Sequence, residues 1–184
     1  HLIKKMEPSG SRLGIIFNQS PLYSGDVKSG ENNIRKWLIE KELLETVIEL
    51  PDEVFFNTPI QTFIWIVTNK KDEKRRNKVQ LIDGTNKFSL LRKKLGNKRK
   101  EVTDEQPKDI LKIYIDFKNT NDSIIVDSDD FRYTKVPVMT SSKKKYEKYE
   151  LVPSNQSIDK TLKLLNLEIN EKIYKKDESI GYEI

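Results

Sequence analysis

The distribution of apolar residues predicts a strand–loop–strand unit in the first half of the chain. Two β-branched apolar segments, residues 46–50 and 61–68, flank a connection that contains two prolines. Short apolar runs bounded in this way are typical of buried strands joined by an ordered loop. The connection also holds two adjacent aromatic residues, Phe55 and Phe56, where polar turn residues are usual. These rings therefore either fill the core or stack on a flat ligand.

The segment that precedes this unit predicts a strand, a long loop and a helix. Residues 12–18 form a short apolar run that suits a central parallel strand. The glycine-containing loop at 19–33 leads to a helix that begins at Ile34, with Asn32 or Asn33 as its N-cap. Its glycine spacing matches neither common phosphate-binding motif, so an ordinary connection is favoured over a phosphate site.

The segment after the unit alternates short apolar runs with charged stretches. The pattern predicts a strand at 78–83, a short amphipathic piece around 88–95, a helix opened by a capping box at Thr103 and Gln106, strands at 124–126 and 131–138, a polar linker at 141–148 and an amphipathic helix at 158–169. The basic run at 92–100 lacks interleaved aromatics. We interpret it as a solvated loop rather than as a dedicated phosphate-contact patch.

Composition narrows the chemistry that the chain can perform. Cysteine is absent and His1 is the only histidine, which excludes disulfides and Ser/His or Cys/His triads and argues against a transition-metal site. The formal net charge of +5 permits binding to a polyanion without requiring it. No signal peptide, lipidation motif or apolar run of membrane-spanning length is recognisable, so we expect no membrane partner.

Several segments taken together resemble the modification subunit of type I restriction-modification systems. They are the loop-helix-strand succession at 12–67, VQLID at 79–83, LRKKLGNKRKE at 91–101, DFRYTKVPV at 130–138 and SIGYEI at 179–184. This subunit is an N6-adenine DNA methyltransferase that uses S-adenosylmethionine. The resemblance implies an α/β fold, the C-terminal part of a Rossmann-like methyltransferase sheet with an antiparallel closing hairpin, followed by a small α+β extension. It implies DNA and the specificity and restriction subunits as partners, and a cytoplasmic location.

The resemblance also assigns roles to the loop between the two central strands. Related adenine methyltransferases place an aromatic residue of this loop against the flipped target base, which implies stacking by Phe56 or Phe55 and a pocket loop formed by Asn57, Thr58 and Pro59. Adjacent residues of an extended segment point in opposite directions, so we expect one ring in the core and one at the site. We favour Phe56 as the exposed ring.

Two motifs of the family do not occur in this sequence. The cofactor-binding glycine motif and the catalytic Asn-Pro-Pro-aromatic motif both lie upstream in the family. We therefore expect residues 1–77 to be the C-terminal portion of a catalytic domain and residues 78–184 to be its extension. We expect no catalytic, cofactor-binding or metal-binding residues here, and no activity or S-adenosylmethionine binding by the chain alone.

Two other interpretations stay open at this point. The chain could be a non-enzymatic module that assembles a DNA-bound complex, or part of a solitary restriction-modification adenine methyltransferase with its own recognition domain. A role of Phe56 in adenine stacking separates the first from the enzyme interpretation. A separate specificity subunit encoded beside the gene would exclude the second.

Overall fold

The two central apolar segments form neighbouring strands of a five-stranded sheet. In the computed structural model, which describes residues 1–139, 147–153 and 179–182, β2 (Leu44–Glu49) pairs antiparallel with β3 (Thr62–Thr68). The other side of β3 pairs antiparallel with β1 (Arg12–Asn18). The predicted closing hairpin beside the first strand is therefore confirmed, and with it the α/β class.

Two later strands extend this sheet beyond β2, and the other elements lie outside it. The remaining strands are β4 (Lys78–Asp83), β5 (Ser89–Leu95), β6 (Lys98–Glu101), β7 (Ser123–Asp127), β8 (Arg132–Met139), β9 (Glu147–Pro153) and β10 (Ser179–Tyr182). The helices are α1 (Ser20–Tyr23), α2 (Gly30–Glu40) and α3 (Glu105–Asp116), with 3-10 turns at Ile3–Lys5, Glu73–Arg75 and Ser128–Phe131. The order in the sheet is β1-β3-β2-β4-β7, with β4 parallel to β2 and antiparallel to β7.

Strand β3 is an interior strand of the sheet, because it pairs with β1 on one side and with β2 on the other. Phe63, Trp65 and Val67 alternate along it and are almost inaccessible, and Trp65 meets Phe17 of β1 edge to face at 5.4 Å between ring centroids. Such a contact adds to the stabilisation that burial of the two rings provides.

The opposite face of the sheet packs against α3. Ile48, Leu50, Ile82 and Ile110 form a buried cluster on this face. The cluster is extended by partly buried neighbours, which are Ile64, Ile66, Ile113 and Tyr114. Helix α3 is anchored at its start, since the backbone N–H of Thr103 donates to Gln106 Oε1 at 2.8 Å. That bond is half of the predicted capping box, but the N-cap residue of α3 is Asp104, not Thr103 as predicted.

The contact pattern divides the chain into two compact units. One contains His1–Pro21 and Leu38–Asp127, and therefore the five-stranded sheet, α3 and the β5–β6 pair. The other contains Leu22–Trp37 and Ser128–Ile184, with an antiparallel sheet of order β10-β8-β9. The division that we predict after residue 77 stays a prediction about the whole protein; within this chain, β4 and β7 continue the sheet of β1 to β3.

Several sequence-based predictions need correction. Strand β1 is not a central parallel strand: in the described part of the chain it is an edge strand whose one partner is antiparallel. Helix α2 begins at Gly30, and Ser29 Oγ, not Asn32 or Asn33, accepts the capping bond from the N–H of Asn32 at 3.2 Å.

The prediction that the basic run at 92–100 is a loop is also wrong, because these residues belong to the β5–β6 hairpin. The predicted strands around the acidic turn are confirmed as β7 and β8. The predicted helix at 158–169 lies outside the described residues, as does most of the predicted linker. None of the described helices is long and apolar enough to cross a membrane.

Candidate functional site

The connection between β2 and β3 ends in a tight turn that carries the two adjacent aromatic residues. An antiparallel bridge between Phe55 and Thr58 closes the turn, which places Phe56 and Asn57 at its tip. The Phe56 side chain is 57% exposed and that of Phe55 is 36% exposed. Neither ring is buried, so the expectation that one of them belongs to the core is wrong. Phe56 is the more accessible of the two.

The side chains of the turn itself are apolar or neutral. Asn57, Pro59 and Ile60 are exposed, and Thr58 is half-buried. No side chain among residues 55–60 can act as an acid, a base or a nucleophile at neutral pH. The turn can therefore stack on a flat ligand, and the Asn57 amide can approach a polar edge of that ligand. The turn has no side chain that would make or break a covalent bond.

The turn is held in place by backbone hydrogen bonds to the β5–β6 hairpin. The Phe56 carbonyl accepts from the N–H of Asn97 at 3.1 Å. Earlier in the connection, the Glu53 carbonyl accepts from Arg99 and Lys100 at 3.0 and 3.3 Å, with Glu53 in the left-handed region at φ +56°. Three main-chain bonds therefore fix the connection on either side of Phe55.

Charge pairs reinforce the same contact. Arg99 Nε lies 3.4 Å from Glu53 Oε1, and Lys100 forms an ion pair with Asp52. The ammonium group of Lys98 lies over the Phe56 ring, 5.5 Å from its centroid, at a distance that permits a cation–π interaction. The basic hairpin and the aromatic turn thus form one contiguous surface, which the sequence pattern did not reveal.

The turn between β5 and β6 needs glycine at position 96. Gly96 has φ +62°, and a Cβ built on it would lie 3.2 Å from the Phe56 carbonyl oxygen. Gly96→Ala should lower the free energy of unfolding by about 1–2 kcal/mol, because an L side chain is strained in the left-handed region. Urea titration measures the loss. Gly30→Ala is the matched control, since no atom lies within 4 Å of its added Cβ, and an equal loss there would contradict this reason.

The glycine-containing loop before α2 does not offer a phosphate site. At the helix N-terminus, Ser29 Oγ already accepts the N–H of Asn32. The Glu31 carboxylate occupies the same end: hydrogen bonds from its own backbone N–H and from Ser29 hold its pKa below the usual value. A carboxylate of the chain itself therefore stands where an anionic ligand would bind.

The structure also contains an apolar groove that the sequence did not predict. It has a volume of about 390 Å³ and lies between α3 and the sheet. Its lining residues are Arg12, Leu13, Gly14, Ile48, Leu50, Ile64, Ile66, Val102, Pro107, Ile110, Leu111 and Tyr114. The two lining residues with polar groups, Arg12 and Tyr114, are both bonded to Glu45. The groove therefore offers apolar surface and no uncommitted group for catalysis.

Glu45 is the centre of a buried charge network beside this groove. Its side chain is inaccessible and accepts from Arg12 Nε at 2.8 Å and from the Tyr114 hydroxyl at 3.0 Å. Arg75 Nε lies 3.5 Å from the same carboxylate, and the Arg75 guanidinium stacks on the rings of Tyr114 and Phe117 at 4.4 and 4.2 Å. The network fastens α3 to the sheet through charge and ring contacts.

Burial and charge shift the pKa values of this network. The hydrogen bond to Glu45 raises the pKa of Arg12, whereas burial lowers that of Arg75. Burial, followed by the charge of Glu45, raises the pKa of Tyr114. The tyrosine therefore remains a neutral hydrogen-bond donor throughout the physiological pH range.

Lys71, close to this network, makes stability depend on pH. Its ammonium group donates to the Lys78 carbonyl at 2.7 Å, and burial lowers its pKa to about 8, although the charges of Glu42 and Glu45 oppose the shift. In the unfolded chain, Lys71 keeps its proton until about pH 10.5. Between these values unfolding takes up a proton, so the folded state gains stability as pH rises.

We therefore expect the thermal unfolding midpoint to rise from about pH 8 towards pH 10 more steeply in the unchanged protein than in Lys71→Met. Differential scanning calorimetry across this range provides the measurement. Lys112→Met replaces an exposed lysine and should keep the rise. A Lys71→Met protein with an unaltered pH profile would show that Lys71 is not responsible.

Comparison with known proteins places these features in a family. The N-6 DNA Methylase family matches residues 1–154 of the 184. The chain belongs to this family. The match covers the five-stranded sheet, the aromatic turn and the β5–β6 hairpin together.

Individual relatives agree with the family assignment. The chain is 29% identical over 122 residues to the Type I restriction enzyme MjaVIII methylase subunit of Methanocaldococcus jannaschii, a match that covers 66% of this chain and 20% of the relative. It is 30% identical over 137 residues to the MpnII methylase subunit of Mycoplasma pneumoniae, covering 70% and 23%. The chain thus spans about a fifth of the length of the curated relatives that it matches.

A solved structure supports the fold. The type I restriction-modification system methyltransferase subunit from Streptococcus thermophilus superposes with a TM-score of 0.53 at 28% identity, over 64% of this chain and 23% of that protein. The resemblance stated from the sequence is therefore confirmed at the level of family and fold. The roles assigned to Phe55, Phe56, Asn57, Thr58 and Pro59 stay predictions.

Proposed function

We propose that this chain is part of a site-specific adenine-N6 DNA methyltransferase subunit of a type I restriction-modification system, in which it completes the sheet and one wall of the flipped-adenine pocket. The observation that carries the proposal is the aromatic turn: Phe56 is exposed at its tip, and backbone bonds at Glu53 and Phe56 attach the connection to the hairpin. Family membership supplies the reaction class.

Stacking is the contribution that the turn can make to this reaction. A base taken out of the duplex loses its stacking neighbours and needs a flat apolar surface in exchange. The Phe56 ring offers this surface, and Asn57 beside it offers an amide that can reach the polar edge of the base. Because main-chain bonds hold the turn, the ring is positioned before the base arrives, which reduces the entropy lost on binding.

S-Adenosylmethionine would supply the methyl group in the complete enzyme. The residues of this chain do not form its site, since the sequence has neither glycine motif nor Asn-Pro-Pro motif and a carboxylate occupies the N-terminus of α2. In this proposal, DNA and the specificity and restriction subunits are partners of the whole assembly. Residues 1–77 belong to its catalytic domain and residues 78–184 continue towards the rest of the subunit.

Two measurements test the proposal. The assembled methyltransferase, containing this chain within the complete subunit, should form N6-methyladenine in unmethylated genomic DNA, detected by mass spectrometry of the digested nucleosides. The 184-residue chain alone should show neither turnover nor cofactor binding by calorimetry. Methylation at another base, or micromolar binding of S-adenosylmethionine by the chain alone, would overturn the proposal.

A further inference from the structure

The β5–β6 hairpin carries an unusual concentration of positive charge. Between Ser89 and Glu101 the sequence has six basic side chains and a single acidic one. The basic residues are Arg92, Lys93, Lys94, Lys98, Arg99 and Lys100. The hairpin forms a two-stranded sheet of its own, separate from the five-stranded sheet.

These cations fall into two groups with different surroundings. On β6, Arg99 and Lys100 pair with the carboxylates of the connection that carries the aromatic turn, and Lys98 lies over the Phe56 ring. On β5, Arg92, Lys93 and Lys94 are consecutive and exposed, and the described residues provide no carboxylate partner for any of them. The first group attaches the hairpin to the turn, and the second faces solvent with its charge uncompensated.

We propose that β5 is a phosphate-contacting strand that binds the DNA backbone next to the nucleotide whose base stacks on Phe56. Arg92, Lys93 and Lys94 bind phosphate oxygens, and the β6 side of the hairpin is bonded to the connection that carries the turn. The inference rests on the proposed function, since it presumes DNA as the polyanion. It adds the residues that position the duplex.

The physical reason is the coupling between the hairpin and the turn. Backbone bonds from Asn97 to Phe56 and from Arg99 to Glu53 make the two segments move together. A phosphate bound by β5 is therefore placed relative to the Phe56 ring, and the ring is offered where the adjacent base leaves the stack. Between the Leu90–Lys100 and Leu95–Lys98 pairs, the β5–β6 ladder is irregular, so the three cations do not follow the strict alternation of faces in a regular strand.

Contacts of this kind have a measurable signature in salt dependence. Each phosphate neutralised by Lys or Arg releases condensed counterions and contributes a slope of about −0.9 to the plot of log affinity against log salt concentration. We therefore compare the unchanged assembled methyltransferase with the triple variant Arg92→Gln, Lys93→Gln, Lys94→Gln. The probe is a fluorescently labelled DNA duplex of mixed sequence, titrated between about 50 and 200 mM salt.

The triple variant should have a slope smaller in magnitude by about 2 to 3. When the salt concentration is raised fourfold, the factor by which DNA affinity falls should be roughly 40 times smaller for the triple variant than for the unchanged protein. The control Lys108→Gln, Lys112→Gln, Lys118→Gln removes the same charge from exposed positions in and just after α3 and should keep the original slope. Arg92→Lys, Lys93→Arg, Lys94→Arg should also keep it.

The proposal is overturned if the triple variant keeps the original slope, or if the α3 control loses as much. If the triple variant keeps the original slope and adenine methylation is intact, the proposed function is unaffected and only the role of β5 is contradicted. Absence of adenine methylation by the unchanged assembly removes the proposed function, while the comparison of slopes still reports whether β5 binds DNA.

Discussion

Replacing Phe56 with alanine in the assembled methyltransferase should lower kcat/KM for adenine methylation by roughly 5- to 150-fold. The estimate corresponds to the loss of about 1–3 kcal/mol, the usual contribution of one base–aromatic stack. Folding should change little because the Phe56 side chain is 57% exposed and its removal leaves no buried cavity. Initial rates on unmethylated genomic DNA over a range of DNA concentrations provide the measurement.

Two further variants make this prediction specific. Phe56→Tyr keeps a stacking ring and should retain most of the activity. Phe55→Ala removes the neighbouring, less exposed ring and should affect kcat/KM less than Phe56→Ala if Phe56 is the stacking residue. A Phe56→Ala enzyme that methylates normally, but unfolds at a much lower temperature, would show instead that the ring supports the fold.

The sequence predicts the central strands correctly because their signal is local. Runs of β-branched and aromatic residues, as in 62–68, disfavour helix and fit a pleated, buried surface. The capping contact of Thr103 with Gln106 is predicted for the same reason, since both partners lie within one helical turn. The position of β1 at an edge depends on which strands pair with it, and its own composition does not contain that information.

The candidate site could be predicted only in part. The aromatic pair in the β2–β3 connection stands out in the sequence, but the basic run that holds it does not. Residues 92–100 have no apolar periodicity that indicates a strand, and the hairpin is bonded instead to the carbonyls of Glu53 and Phe56, about 40 positions earlier. Tertiary hydrogen bonds override the weak local preference of a charged segment.

The charge network around Glu45 was equally inaccessible to sequence analysis. Its hydrogen bonds to Arg12 and Tyr114 span 33 and 69 positions, so no motif spacing connects the three residues. In the sequence, Glu45 interrupts an apolar strand and resembles an exposed position. The irregular pairing between Leu44 and Thr46 accommodates it and lets its carboxylate meet the two arginines.

Loss of the Glu45 charge should therefore be the most destabilising single change that we predict. Glu45→Gln removes the carboxylate that pairs with the guanidinium of Arg75, which is 3% exposed, and leaves only the more distant charge of Asp72. Breaking a buried pair in this way costs about 3–5 kcal/mol, because the remaining charge stays in a poorly solvated site. For a protein of this size, the thermal midpoint should fall by about 6–20 °C, measured by circular dichroism.

A matched control lies on the same strand. Burial, followed by the charge of Asp83, raises the pKa of Glu49, so its neutral form is already favoured more than usual and Glu49→Gln should change stability little. Glu45→Met combined with Arg75→Met removes both buried charges and should recover much of the loss, since Arg12, the other partner of Glu45, is 45% exposed and still has Asp72 at 3.7 Å. If the free energy of unfolding of Glu45→Gln lies within about 1 kcal/mol of that of the unchanged protein, the network does not stabilise the attachment of α3 to the sheet. The apolar cluster around Ile110 must then stabilise this attachment alone.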